Sequence, residues 1–484
     1  MPPNKVLMAM LMMAGLMSNQ ASAAVDPEVL MQAYEKLLQR VEQLEAANRK
    51  METALEQAKS GESDSAQVEE MAERVEDIEN KIVKLNKPRK VESALEGITA
   101  GASLTMVAQR ALKGTATGKD ESQLNYRADI EVEVPGDALG KLASFGDSKF
   151  FAHFRAGQGE GFGTLNPTLT GTANSTTFQL ANGDDSAAIL AQAWYQLGIP
   201  LSESQSGRLG RIEATLGKMD MFGFFDTNNI ADDESEGFLN NVFVHNPMLD
   251  SGGDIGADGY GFAPGLHLAY INDINSVNRW TFSLGAFGAG PGASYSESFT
   301  QPFVIGQAEY TGRVLRGLPG TYRLYAWKNG QAIPFANEFD SSTERHNGFG
   351  LSIDQQVARH LTLFTRYGQS TKGNVKFDQA FTLGGQLGGY TWGRQHDRIG
   401  LAFGWLNPSS EFKAAAPTLD ADADANPDFG FTPAGAEKQA ELFYAWQVND
   451  SLQLTPSLQW IGQPGGDGSA EDIVVLGLRA KAAF

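Results

Sequence analysis

Arginines and carboxylates stand inside stretches whose neighbours are apolar at every second position. Arg127 and Glu131 lie in "LNYRADIEVEV", Arg155 in "KFFAHFRAG", Arg211 and Glu213 in "RIEATLG", Arg323 in "TYRLYAW" and Arg366 in "LTLFTRYG". Trp194, Tyr325 and Trp327 stand beside some of them. Guanidinium and carboxylate groups hydrogen-bond hydroxyls, while indole and phenol rings offer flat apolar faces. The combination therefore fits weak, reversible contact with a polyol such as a sugar. The same cations attract small anions. A plainer role for each charge is to pair with another and brace a wet wall.

Covalent chemistry finds no support. There is no cysteine, which removes disulfides, thiol nucleophiles and thiolate metal sites. "GTATGKD" (Gly114 to Asp120) has one residue too few between its glycines for a phosphate loop and ends in Asp where Ser or Thr belongs. In "DADADANPD", Asp420, Asp422 and Asp424 alternate as a calcium loop begins, but Ala425 replaces the turn glycine and Phe431 the closing Glu. This reads as a solvated acidic loop. With six histidines, none in a recognisable ligand pair, no metal, cofactor or catalytic group is expected. The formal charge of -20 argues against a nucleic-acid partner.

The elements that position the charges have a period of two. In "LNYRADIEVEV" one face is Leu124, Tyr126, Ala128, Ile130, Val132 and Val134, and the other is Asn125, Arg127, Asp129, Glu131 and Glu133. Several such runs reach the length that crosses a bilayer at a tilt, longer than the usual five or six residues of soluble strands. A closed barrel satisfies every backbone group in lipid, turns the apolar face outward and the charged face toward a lumen. At roughly 24 residues per strand and loop, the chain after Glu96 makes about 16 antiparallel strands, enough to leave an aqueous channel. An even count places both barrel ends in the periplasm. The fold class expected is an all-β transmembrane barrel preceded by an α-helical coiled-coil segment.

Three domains follow. Residues 1–23 carry Lys5, the apolar run "VLMAMLMMAGLM" and the small-residue end "SNQASA" of a signal peptide. Residues 24–90 hold a heptad, with Tyr34, Val41, Asn48 and Leu55 at a and Leu30, Leu37, Leu44 and Met51 at d. After "KSGESDSAQ" a second seam runs one residue out of phase, with Val68, Val75 and Ile82 at a and Met71, Ile78 and Leu85 at d. Two helices folded on each other, or a coil between chains, both fit; Ile at a and d favours a homotrimer. "KLNKPRK" ends the helix at Pro88, and residues 91–484 form the barrel.

Three stretches carry a family likeness: "LGKMDMFGFFDTNNIADDESEGFLNNVFVHNP" from Leu216, "GLSIDQQVARHLTLFTRYGQS" from Gly350, and "EKQAELFYAWQVNDSLQLTPSLQWIGQPGG" from Glu437 with the strand that follows it. A looser match reaches back to "LEGITAGASLTMVAQ". The chain resembles the OprB-type carbohydrate-selective porins of Gram-negative outer membranes. The resemblance implies passive diffusion of small solutes, sugars among them, through a barrel embedded in outer-membrane lipid. It also implies that Phe484, at the end of "IVVLGLRAKAAF", is read by the barrel-assembly machinery; a lipid-facing aromatic is the simpler role. The helical extension looks like the periplasmic coiled coils of some sucrose-specific and phosphate-specific porins. A general or anion-preferring pore, and a plugged barrel that anchors a stalk, are the alternatives.

Overall fold

The structure is a computed structural model. It describes residues 98–136, 147–171, 173–178, 186–204, 207–250, 258–272, 278–290, 297–335, 342–421 and 424–484, with the backbone of 90–92. The expected signal peptide and heptads lie outside the described residues.

Sixteen long strands follow a short one, β1 (Lys90–Glu92). They are β2 (Thr99–Lys113), β3 (Glu121–Pro135), β4 (Asp147–Gln158), β5 (Ala187–Ser204), β6 (Gly207–Met219), β7 (Ala263–Asn272), β8 (Arg279–Phe287) and β9 (Phe303–Leu315). The second half comprises β10 (Leu318–Ala332), β11 (Glu344–Ala358), β12 (Leu361–Lys372), β13 (Phe377–Gly388), β14 (Arg398–Pro408), β15 (Glu437–Asn449), β16 (Leu452–Gly462) and β17 (Ile473–Ala483). Each pairs antiparallel with its sequence neighbours, and β17 returns to β2 with Ala483 opposite Ser103. The sheet therefore closes and leaves no long free edge in the bilayer. Phe484 completes the seam: its N–H donates to the Ala102 carbonyl at 2.9 Å, beside the point where β1 sets Glu92 against Thr99.

Strand lengths of 9 residues in β8 to 18 in β5 meet the ~9–11 residues a tilted crossing requires. Burial is inverted relative to a soluble protein. Leu216, on the outer face of β6, is 65% exposed, whereas Arg366, on the inner face of β12, is 0% exposed. The β3 alternation falls as the sequence indicates, with Leu124 and Ile130 outward and Arg127 and Asp129 buried inside.

The two ends differ. At the end holding Phe484 the turns are short: Arg316–Gly317 between β9 and β10, Arg359–His360 between β11 and β12, and Asp450–Ser451 between β15 and β16. Arg316 and Gly317 have φ of 52° and 75°, the left-handed pair that a two-residue hairpin needs to match strand twist. At the other end, connections 159–186, 220–262 and 409–436 are long.

Candidate functional site

In the connection from β6 to β7, residues 220–250 turn into the barrel. Their composition explains why. Phe222, Phe225, Phe238, Val242, Phe243, Met248 and Leu249 are too apolar for a solvated loop, and all are buried against wall residues including Phe287, Phe303, Phe364, Phe377 and Phe443. Local caps shape the segment. Asp220 accepts the Phe222 N–H at 2.9 Å at the start of the turn Met221–Gly223, and Asn240 accepts the Val242 N–H at 3.1 Å at the start of the helical turn Asn241–Val244. Gly350 and Gly368 leave room for the Asn246 side chain; a Cβ at Gly350 would lie 2.7 Å from Asn246 Nδ2.

Charged wall residues hold this loop by its backbone. Arg366 donates from Nη1 to the Phe243 carbonyl at 3.0 Å and from Nη2 to the carbonyls of Asp226 and Ala231 at 3.1 and 2.7 Å, and its Nε pairs with the Asp226 carboxylate at 3.0 Å. Tyr325 Oη donates to the same carboxylate at 2.7 Å. Five strands further round the wall, Arg479 of β17 donates to the carbonyls of Glu234, Gly237 and Glu236 at 2.8, 2.8 and 2.6 Å. Beside it, Lys481 pairs with Glu236 at 2.7 Å, and Glu441 of β15 accepts the Leu239 and Asn240 N–H groups at 2.8 and 2.9 Å. Together with the Arg127–Glu234 pair on β3, seven strands round from β12, these anchors hold the loop across the lumen.

The lumen residues singled out from sequence stand on inner strand faces but divide in environment. Arg127, Arg323, Tyr325, Trp327 and Arg366 are buried. Arg127 pairs with Asp129 at 2.8 Å and with Glu234 of the loop; Arg323 pairs with Glu309 and Asp354, both at 2.9 Å. These side chains fasten and brace. Glu131, Arg155, Arg211 and Glu213 remain half-buried, on the wall formed by β3, β4 and β6. Arg155 contacts Asp129 at 2.9 Å, and Arg211 pairs with Glu213 at 2.8 Å.

An aromatic line adjoins that wall. Trp194 stacks on Phe151 at 4.8 Å between ring centroids, Phe224 of the loop meets the Trp194 edge at 5.9 Å, and His267 follows Phe224 at 4.6 Å. Arg155 lies 5.3 Å from the Phe262 ring, and Lys149 lies 5.6 Å from Trp194. Flat rings beside guanidinium and carboxylate groups are the pairing that contacts both the ring face and the hydroxyls of a pyranose. Sequence reasoning missed Asp129, Asp220, Asp226, Glu441, Arg479 and Lys481. For Arg479 and Lys481 the signal was present, since both occupy the polar face of the terminal strand.

Asp220 supplies a pH dependence. Burial pushes its carboxyl up to about 6, with the Glu234 charge adding to the shift and the Phe222 N–H, Arg155 and His153 opposing it. The lumen therefore gains a negative charge as pH rises through about 6. The zero-current potential in a salt gradient should shift toward cation preference across that interval, and Asp220→Asn should flatten the response. A wild-type potential that does not move would remove Asp220 from the conducting path.

Known proteins show related sequences and folds. A family model described as the carbohydrate-selective porin, OprB family, matches residues 138–484. Porin B of Pseudomonas aeruginosa is 28% identical over 191 residues, 34% of this chain and 42% of that protein. An uncharacterized Nostoc protein is 29% identical over 96 residues, 19% of this chain and 17% of that one. The chain thus spans less than half the length of these curated relatives. The high-pH structure of Pseudomonas putida OprB superposes with a TM-score of 0.63 at 18% identity, covering 80% of this chain and 94% of that one.

Proposed function

Because the chain belongs to the OprB family of carbohydrate-selective porins, we propose that it forms a passive pore for small carbohydrates in a Gram-negative outer membrane. The observation that carries this reading is a closed sixteen-strand barrel narrowed by a loop that is tied to its wall at β12, β17 and β3. Long connections face the cell exterior in this arrangement, and the end with short turns and Phe484 faces the periplasm. Solute passes the wall of Glu131, Arg155, Arg211 and Glu213, with the half-buried Phe224 offering an apolar face. The pore needs no catalysis, cofactor or energy coupling. The barrel-assembly machinery reads Phe484, and the heptads of segment 24–90 form a periplasmic stalk that joins three copies.

The anion-preferring alternative is weakened by the pairing of the cations. Arg127, Arg323, Arg366 and Lys481 each have a carboxylate partner, so few lumen cations are left to attract anions. Single-channel conductance in a planar bilayer, titrated with glucose, a disaccharide and phosphate, tests the reading. Graded block by sugar is expected. Block by phosphate alone would replace it with an anion pore, and silence from folded protein would favour the stalk anchor.

A further inference from the structure

The outer face of the barrel carries a trough along β9. Gly306 stands between Leu284 of β8 and Ala326 of β10, and Ala308 stands between Phe282 and Leu324. Three small residues form a floor between tall apolar walls, leaving an open groove of about 910 Å³. Tyr310, with Trp280 at 5.0 Å, closes one end. At the other end Val304 faces Lys328, and Lys328 faces Asn347, two residues from Arg345.

Dimensions and charge identify what fills it. Val304 to Tyr310 runs about 20 Å at ~3.4 Å per residue. A strand tilt of ~40° reduces this to about 15 Å of depth, half of a ~30 Å hydrocarbon core. The trough is one leaflet deep. Lys328 and Arg345 mark its mouth; both are exposed, and neither has an ion-pair partner among the described residues. No Asp or Glu alternates onto the outward face of β8 to β11 to balance them. A second copy of this face would bring apolar surface without the missing anion. A phosphorylated lipid brings both.

We propose that this trough binds a phosphorylated, acylated glucosamine lipid of the leaflet facing the loop end, with an acyl chain along β9 and a phosphate between Lys328 and Arg345. The proposal rests on the outer-membrane orientation given above. The cations at the mouth distinguish this lipid from a neutral acyl chain, and their place at the loop end distinguishes it from a phospholipid of the opposite leaflet.

The test uses the full-length protein, purified in detergent and exposed to equal amounts of bisphosphorylated lipid A and phosphatidylglycerol, with retained lipid read by native mass spectrometry. Lipid A should be retained preferentially. Lys328→Gln with Arg345→Gln should lower its retention about thirtyfold, as expected for two lost phosphate contacts, and Ala308→Phe should lower it by filling the floor. Equal retention of both lipids by the wild type overturns the proposal without needing a variant. A change of oligomeric mass in Ala308→Phe with lipid retention intact assigns the trough to a second copy instead. Conductance of the same wild-type preparation separates the two levels: a conducting barrel that ignores lipid A loses only this inference, whereas a silent one calls the pore itself into question.

Discussion

Arg366→Leu should yield a barrel that still inserts but conducts several-fold more current, with frequent large fluctuations. The substitution removes a guanidinium with no solvent access that serves three loop carbonyls and one carboxylate. Asp226 is left buried beside Tyr325 without its cation, a situation that costs about 3–5 kcal/mol. Each abandoned carbonyl adds about 1–3 kcal/mol unless water reaches it. The cheapest relief is for the loop to leave the wall, because Arg366 contributes only its backbone to the ladders with β11 and β13. Lysine should not rescue the loop, since one ammonium cannot reproduce a planar fork serving four acceptors. Arg155→Ala is the informative contrast. Arg155 pairs with Asp129 and, among the described residues, hydrogen-bonds no loop carbonyl, so its loss should move the reversal potential while leaving conductance noise low. Equal noise in wild type and Arg366→Leu would mean that the loop is held by its apolar packing alone.

That contrast also marks how far the sequence could be read. Strand faces were legible because a closed sheet in lipid enforces a period of two: Arg127, Arg323 and Arg366 could be assigned inward from their apolar neighbours, and all three are inward. The strand count followed from chain length and loop composition for the same reason. What folds across an inner face is not encoded in that face. Nothing in "LTLFTRYG" indicates that Arg366 lies under Phe243 and Ala231, which are more than a hundred positions away in sequence. The clue lay in "MFGFFDTNNIADDESEGFLNNVFV", whose aromatics follow neither strand nor amphipathic-helix spacing and are too many for an exposed loop. A segment so apolar, carrying its own Asx caps, must bury itself, and the lumen is the nearest place. Arg479 and Lys481 show the converse. Their polar face was evident, but their acceptors, the carbonyls of Glu234, Glu236 and Gly237 for Arg479 and the Ser235 hydroxyl and Glu236 carboxylate for Lys481, could be identified only from the folded loop.

Deleting Phe484 should reduce the amount of assembled barrel in the membrane far more than it reduces the stability of barrel that does assemble. Its main chain makes one seam bond, from its N–H to Ala102, and a longer return bond at 3.4 Å. Its side chain is half exposed on the outer face. Loss of one partly exposed hydrogen bond costs about 0.5–1.5 kcal/mol. The ladder from Ser103 to Lys113 against β17 stays in place, so a purely structural role predicts a small fall in melting temperature and near-normal yield. A recognition role predicts the opposite separation. Phe484→Ala keeps the backbone bond yet removes the ring, and should assemble poorly while melting close to wild type once refolded in detergent. Phe484→Trp or Phe484→Tyr should recover much of the yield, because an aromatic terminus is preserved. The two quantities to compare are heat-modifiable, membrane-inserted protein in cells and thermal stability of the same variants refolded in vitro. If both fall together in Phe484→Ala, the ring acts as part of the barrel wall at the membrane interface; if yield alone falls, the residue acts before the seam closes, while β17 is still an unpaired strand.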